Sequence, residues 1–163
     1  MNNAATVGLI SDTHGLLRPE ALTALAGCDL IIHAGDVGEP AIIEKLRAVA
    51  PVVAVRGNID RGAWASRLPE AATVETRSAV IYVLHDIHRL ALDPVAAGFD
   101  VVVSGHSHRP GRSDGSGVIY INPGSAGPRR FKLPVTIARL DLRRSPCRLQ
   151  FIDLEHGEFP ANA

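Results

Sequence analysis

Val101 to His108 reads V-V-V-S-G-H-S-H. A β-branched run favours a buried strand, the Ser-Gly step breaks it, and two histidines at i and i+2 follow at once. A strand with this ending delivers two imidazoles into a loop. Imidazole is the commonest metal ligand among side chains, and a pair held on a short loop by a rigid strand keeps little freedom to lose on binding. What the other strands deliver to the same place then decides the reading.

Upstream of that stretch the chain repeats strand, loop and helix. Ala4 to Ile10 is apolar and stops at Ser11-Asp12-Thr13-His14-Gly15, after which Pro19 opens a helical stretch with Leu22 and Leu25 at helical spacing. Asp29 to His33 is a second strand, broken by Ala34-Gly35-Asp36, and Pro40 opens a helix whose Ile42, Ile43, Leu46 and Val49 form an apolar stripe. Val52 to Val55 is a third strand, broken by Arg56-Gly57-Asn58-Ile59-Asp60. Such units imply a parallel sheet with right-handed crossovers. Val74 to Thr76 and Ala79 to Leu84 are separated only by Arg77-Ser78, which suits a hairpin. A short helix fits Asp93 to Ala97, ahead of the strand Val101 to Ser104. Arg109 to Gly117 reads as a turn-rich loop, and Val118 to Ile121 as a strand ending in Asn122-Pro123-Gly124-Ser125. Pro128 to Pro134 reads as a mobile loop exposing Arg129, Arg130 and Lys132. Val135 to Asp141 and Arg148 to Asp153 form a last pair of strands, before a polar tail, Glu155 to Ala163, expected to fray.

At 163 residues the chain fits a single domain, 1–163, and is long enough to bury a full core without a disulfide or structural metal. Its 17 basic and 17 acidic residues cancel, and aromatics make up only 4%. With no run of Lys or Arg, neither a nucleic-acid nor a membrane surface is expected. Cys28 and Cys147 lie far apart with no Cys-x-x-Cys pattern, and the N-terminal residues do not read as a signal peptide, so a reduced, cytoplasmic protein is expected. The apolar runs are strand-sized, well short of the roughly 18 residues of a membrane span.

The residues just after the strands share one chemistry. Asp12 and His14 follow the first strand, Asp36 the second, Asn58 the third, His85 the strand ending at Leu84, and His106 with His108 the strand quoted above. All lie at carboxyl ends, the edge of an open α/β sheet where loops converge over a crevice. Oxygen and nitrogen donors with no thiolate suit divalent Mn, Fe or Zn. Two carboxylates, one amide and four imidazoles exceed the needs of one tetrahedral ion. Two ions roughly 3.5–4 Å apart, sharing a carboxylate, use them all.

The ordered blocks Asp12-x-His14, Gly35-Asp36, Gly57-Asn58-x-Asp60, His85 and Gly105-His106-Ser107-His108 resemble those of the calcineurin-like metallophosphoesterase superfamily. The short chain and the Asn122-Pro123-Gly124-Ser125 turn are similar to its small prokaryotic phosphodiesterases. The resemblance implies a metallo-dependent phosphatase-like fold, a four-layer α/β/β/α sandwich of two mixed sheets. It implies two divalent ions, manganese foremost, with zinc, iron or nickel as alternatives. By position, Asp12, His14 and His108 hold one, Asn58, His85 and His106 the other, and Asp36 bridges them. A bridging hydroxide then attacks a phosphate ester in line with the leaving group. Asp36, Asn58 and His106 carry the catalytic work, and Asp60 orients a histidine ligand from behind.

Two departures bear on specificity. Ile59 stands where many phosphatases of the group have a histidine that protonates the leaving alcohol, and general-acid help is worth on the order of 10²–10⁴ in rate. Asp86 replaces a glycine usual between two histidines, and His88 is a candidate for the missing acid. The rival enzymatic readings are a phosphomonoesterase or nucleotide pyrophosphohydrolase. A non-enzymatic scaffold of the same fold is a third, against which the filled ligand positions argue. Asn122 and Gly124 read as a structural turn whose amides can approach a phosphate, and Arg129 as a solvated residue within reach of a second phosphate substituent. His33 reads as a satisfied core histidine. The expected substrate is a small-molecule phosphoester, and a homodimer or tetramer is the base-rate assembly.

Overall fold

The structure, a computed structural model, describes residues 2–158. In chain order its elements are β1 (Thr6–Ile10), α1 (Pro19–Leu25), β2 (Leu30–His33), α2 (Pro40–Arg47), β3 (Val52–Ala54), β4 (Ala71–Glu75), β5 (Val80–Leu84), β6 (Val101–Val103), β7 (Gly111–Gly115), β8 (Val118–Asn122), β9 (Thr136–Asp141), β10 (Arg148–Asp153) and β11 (Gly157–Glu158). Short 3₁₀ turns occur at Ala65–Arg67 and Ile87–Arg89.

Two mixed sheets result, ordered β11-β10-β9-β1-β2-β3 and β4-β5-β6-β8-β7. β1, β2 and β3 run parallel, as do β5, β6 and β8, while the remaining pairings are antiparallel. Strand alternation sorts the side chains into layers. Val7, Leu9, Leu30 and Ile32 of the first sheet meet Ile81, Val83, Val101 and Val103 of the second in the central layer. Ile10 and Ile31 point the other way, under Leu25 of α1 and Ile42, Ile43 and Leu46 of α2. On the far face of the second sheet Leu84, Val102 and Val118 are covered by Ile87 and Leu90. The sandwich is thus the expected one, with a thin fourth layer made of the 3₁₀ turn rather than an α-helix. Among the described residues no helix is long and apolar enough to cross a membrane, and both cysteines are free.

Three local expectations are corrected. Residues 94–98 make a single turn: Asp93 Oδ1 accepts from Val95 N and Ala96 N, and Gly98 at φ +78° stops propagation at once. The loop expected over Arg109 to Gly117 contains β7, an edge strand turned onto β8 through Ser116 and Gly117, both at positive φ. Its exposed polar residues carry no apolar alternation to announce it. The tail expected to fray begins as β11, paired to β10, while residues 159–163 lie outside the described residues.

His33 ends β2 fully buried. Its Nδ1 accepts from Gly35 N at 3.2 Å and its Nε2 donates to Thr13 Oγ1 at 3.0 Å, while that hydroxyl donates to Val37 O. Burial pulls the imidazole down to about 4, against the pull of the neighbouring carboxylates. Because the unfolded chain takes up a proton near 6.5 that the native ring refuses, this group costs nothing above pH 6.5 and destabilises progressively as pH falls towards 4, by roughly 3 kcal/mol in all. Urea unfolding of the metal-free protein at pH 7 and pH 4.5 is expected to register this loss, and His33→Gln to show a shallower decline.

Candidate metal centre

The parallel ladder does not stop where β1 and β2 end. Asp12 N donates to Gly35 O at 3.0 Å, His14 N to Asp36 O at 3.0 Å and Gly15 N to Val37 O at 2.8 Å, so the first two donor-bearing loops are as firmly paired as the strands behind them. Gly105 N donates to His85 O at 2.9 Å in the second sheet, and Ala126 N to Ser11 O at 3.0 Å. Within these loops Asp12 (φ 55°), His14 (47°), Asp36 (53°), His106 (69°) and His108 (60°) are all left-handed. For a residue with a Cβ this conformation costs roughly 1–2 kcal/mol, and it persists where the surroundings over-determine it, typically at functional sites.

The bracing is specific. Asp60 accepts from Gly57 N at 2.8 Å, Gly38 N at 2.8 Å and Val37 N at 3.2 Å. It therefore fastens the Asp36 loop to the Asn58 loop through their backbones, where the sequence led us to expect that it orients a histidine. Ser11 Oγ donates to Asp12 Oδ2 at 2.7 Å, and the same oxygen accepts His106 N at 3.1 Å. The sequence reading missed Ser11, although its place before Asp12 was visible. Ile59 N donates to Asp36 Oδ1 at 3.1 Å. Side chains are excluded where loops close together: a Cβ on Gly57 would strike Asp36 Oδ1, and one on Gly105 would strike Ser11 Oγ. Asn122 is likewise a brace, its amide donating to Gly105 O at 2.8 Å and Ser107 Oγ at 3.0 Å while its oxygen accepts Gly124 N at 2.9 Å. With these atoms engaged, neither Asn122 nor the Gly124 amide is free for substrate as expected.

The remaining donor atoms converge. Asp12 Oδ1 is buried with His108 Nε2 at 3.3 Å, His14 Nε2 at 3.9 Å and His85 Nε2 at 4.0 Å, yet it accepts no hydrogen bond among the described residues; His14 Nε2 and His108 Nδ1 are likewise buried without one there. Asp36 Oδ2 lies between His85 Nε2 at 3.3 Å and His14 Nε2 at 3.5 Å. Asn58 Oδ1 lies 3.0 Å from His85 Nε2 and 3.2 Å from His106 Nδ1. His108 packs beside His14 (ring centroids 5.3 Å apart) and His106 beside His85 (5.2 Å). Donor atoms of Asp12, His14 and His108, and again of Asp12, Asp36 and His85, fall within 4.8 Å of one another. Buried, unpartnered acceptors facing one another are unfavourable without a cation, so these residues fit the divalent ions that the donor chemistry implies.

Protonation follows the same logic. Burial lowers the His14 pKa, outweighing Asp36 and Asp12, and keeps the ring in the neutral form that ligates. Burial also pulls His85 down, but the Asp36 carboxylate and the Ala34 carbonyl together overcome it and raise its pKa. For Asp36 burial pushes up, and the hydrogen bonds from His85 and Ile59 N win and lower it. His85 Nδ1 donates to Ala34 O at 2.7 Å, so its Nε2 faces only acceptors on Asp36 and Asn58. A proton satisfies that arrangement in the metal-free protein, and a cation displaces it.

Beside Asn58, His85 and His106 opens a cavity of about 300 Å³, whose further wall includes Arg56, Glu70, Tyr82, Asp86 and Arg89. Neither arginine had been singled out from the sequence. In the 3₁₀ turn residues three apart eclipse, so Asp86 and Arg89 both line the cavity, whereas His88, the expected acid, is exposed and does not. Asp86 Oδ1 accepts from His88 N, and its Oδ2 lies 3.9 Å from His106 Nε2. Ile59 is 39% exposed. Arg129 is paired with Glu155 rather than free for substrate, and it is the charge of Arg130 that bears on His14.

Comparison with known proteins agrees with this geometry. Residues 6–145 match the calcineurin-like phosphoesterase superfamily domain. A probable metallophosphoesterase of Methanothermobacter thermautotrophicus is 34% identical over 148 residues, 83% of this chain and 86% of that protein. Among solved structures, a novel archaeal phosphodiesterase superposes with a TM-score of 0.76 at 23% identity, over 90% of this chain and 99% of that one. Vps29 from Entamoeba histolytica, complexed with zinc, gives 0.75 at 22% identity, over 93% and 94%. At such identities the structures share the fold.

Ser11→Ala leaves Asp12 Oδ2 with one donor instead of two. Titration calorimetry with manganese is expected to find divalent-ion binding weakened by about tenfold or more, the usual effect of losing a group that orients a ligand, with the circular dichroism of the fold retained.

Proposed function

The chain belongs to the calcineurin-like phosphoesterase superfamily, and from that premise we propose that it is a metal-dependent phosphodiesterase acting through two divalent ions. The observation that carries the reading is Asp12 Oδ1, a buried carboxylate oxygen facing three imidazole nitrogens with no hydrogen bond among the described residues. Asp12, His14 and His108 would hold one ion and Asn58, His85 and His106 the other, and Asp36, whose Oδ2 lies between His14 and His85, would serve both. Manganese is the first candidate, and the donor set also suits zinc, iron and nickel. Bound there, the ions supply Lewis acidity to the phosphoryl oxygens and lower the pKa of water into the neutral range.

The chain's own residues do the positioning. Ser11 and the His106 amide fix Asp12 Oδ2, so that its other oxygen points inward. Ile59 N holds Asp36 Oδ1 in the same way. Ala34 O keeps His85 Nε2 turned to the site. Held by paired backbone, the donors need little reorganisation when substrate binds, and the phosphorus is fixed for in-line attack. Ile59, 39% exposed, has no proton to give, and His88 does not line the cavity. Diesters with acidic leaving alcohols therefore suit the site better than phosphomonoesters or nucleotide anhydrides. A non-enzymatic scaffold is disfavoured by the complete donor set. The substrate is a small-molecule phosphoester met in the cytoplasm.

Protein stripped of metal and reloaded with manganese is expected to hydrolyse bis(p-nitrophenyl) phosphate at least about tenfold faster than p-nitrophenyl phosphate, roughly 1.4 kcal/mol of preferential transition-state binding for the diester. A monoester preference of that size would sink the diesterase reading. Asp36→Ala is expected to reduce diester turnover at least about a hundredfold, since cation polarisation is worth several kcal/mol. Ile59→His is expected to raise monoester turnover selectively.

A further inference from the structure

The cavity beside the metal centre is lined by Asn58, His85 and His106 but not by Asp12, His14, Asp36 or His108. A phosphoryl group held over Asp36 therefore meets this cavity at one end only, and what fills it is a substituent on phosphorus. At about 300 Å³ the space is at the small end of ligand sites, sized for one polar arm rather than a polymer.

Its charges balance in number but are unevenly paired. Arg56 belongs to the loop that carries Asn58; its backbone N donates to Pro69 O at 2.8 Å and its guanidinium donates to Glu70 Oε1 at 2.9 Å. One nitrogen makes that contact, so the fork keeps further donors free. Asp86 turns one oxygen to His88 N and the other towards His106. Glu70 is thus paired with a guanidinium, whereas Asp86 has a backbone N–H on one oxygen and only a histidine ring 3.9 Å from the other. Arg89 lines the cavity from the 3₁₀ turn; its backbone N donates to Asp86 O at 3.0 Å, and its guanidinium has no hydrogen-bond or ion-pair partner among the described residues. The two guanidinium groups and two carboxylates of the wall balance in formal charge, but the Arg89 fork is unengaged and Arg56 in the same wall has donors to spare, and planar guanidinium forks match a phosphate.

We propose that this cavity receives a second phosphate, carried by the alcohol that remains on the scissile phosphorus, and that Arg89, assisted by Arg56, selects substrates bearing it. The proposal rests on the phosphodiesterase reading and names its substrate class: diesters whose retained arm ends in a phosphate monoester. Tyr82 and Leu84 supply the apolar part of the wall along which the arm lies.

Thymidine 5′-phosphate and thymidine 3′,5′-bisphosphate differ only by such a phosphate. Calorimetry on the manganese-loaded protein is expected to find the bisphosphate bound about tenfold tighter, the worth of one charge-assisted contact. Arg89→Ala is expected to shrink that difference to about twofold, and Arg89→Glu to invert it. Equal affinity for the two nucleotides in the unaltered protein, or a full difference surviving in Arg89→Ala, would overturn the proposal. Turnover of the p-nitrophenyl diester of thymidine 5′-phosphate is the separate arm. No turnover with the affinity difference intact would remove the diesterase reading and keep the second-phosphate site. Turnover with no affinity difference would do the reverse.

Discussion

Asp12 and Asp36 put two carboxylates into the seam between the sheets, both buried and with ligand atoms within 4.8 Å of each other. Like charges so close in a medium poorer than water in dielectric response repel strongly, and no hydrophobic gain nearby offsets that directly. The surrounding structure answers by division. Each carboxylate turns one oxygen to fixed donors, Ser11 Oγ and His106 N for Asp12, Ile59 N for Asp36. The other oxygen is left to the imidazoles and to whatever cation they share. One oxygen of each anion is thus held by the fold, and the other faces the imidazoles.

Rigid backbone makes that reservation effective. Five of the seven donor residues are left-handed, a conformation that an isolated loop would relax from. The continued ladder between the β1 and β2 loops, the three amides gathered by Asp60 and the absence of side chains at Gly57 and Gly105 together leave the loops nowhere to relax to. The strain is local and the restraint is distributed, so one lost brace loosens several donors at once. His33 belongs to this restraint from beneath, its ring tying Thr13 to Gly35.

The donors were legible in the sequence because their chemistry and their position coincide: acids, an amide and imidazoles, each just past an apolar run. The sheets were legible for the same reason, since Val7, Leu9, Leu30 and Ile32 alternate with residues of the other face. What failed to show was structure without a side-chain signature. β7 is an exposed polar edge, and 94–98 has helix-forming residues but only one turn. Asp60 acts on backbone amides, which no residue type reveals. The choice between His88 and Arg89 depended on the pitch of a 3₁₀ turn, where a shift of one residue rotates a side chain from cavity to solvent.

The thin layer over the second sheet separates two kinds of residue. The donor residues follow strands whose side chains form the central core. Asp86 and Arg89 sit instead on a segment attached to the sheet mainly through Ile87 and Leu90. Substitutions there leave the main core intact and have little stability to lose. The cavity wall can therefore be altered without touching the core from which the donor cluster hangs.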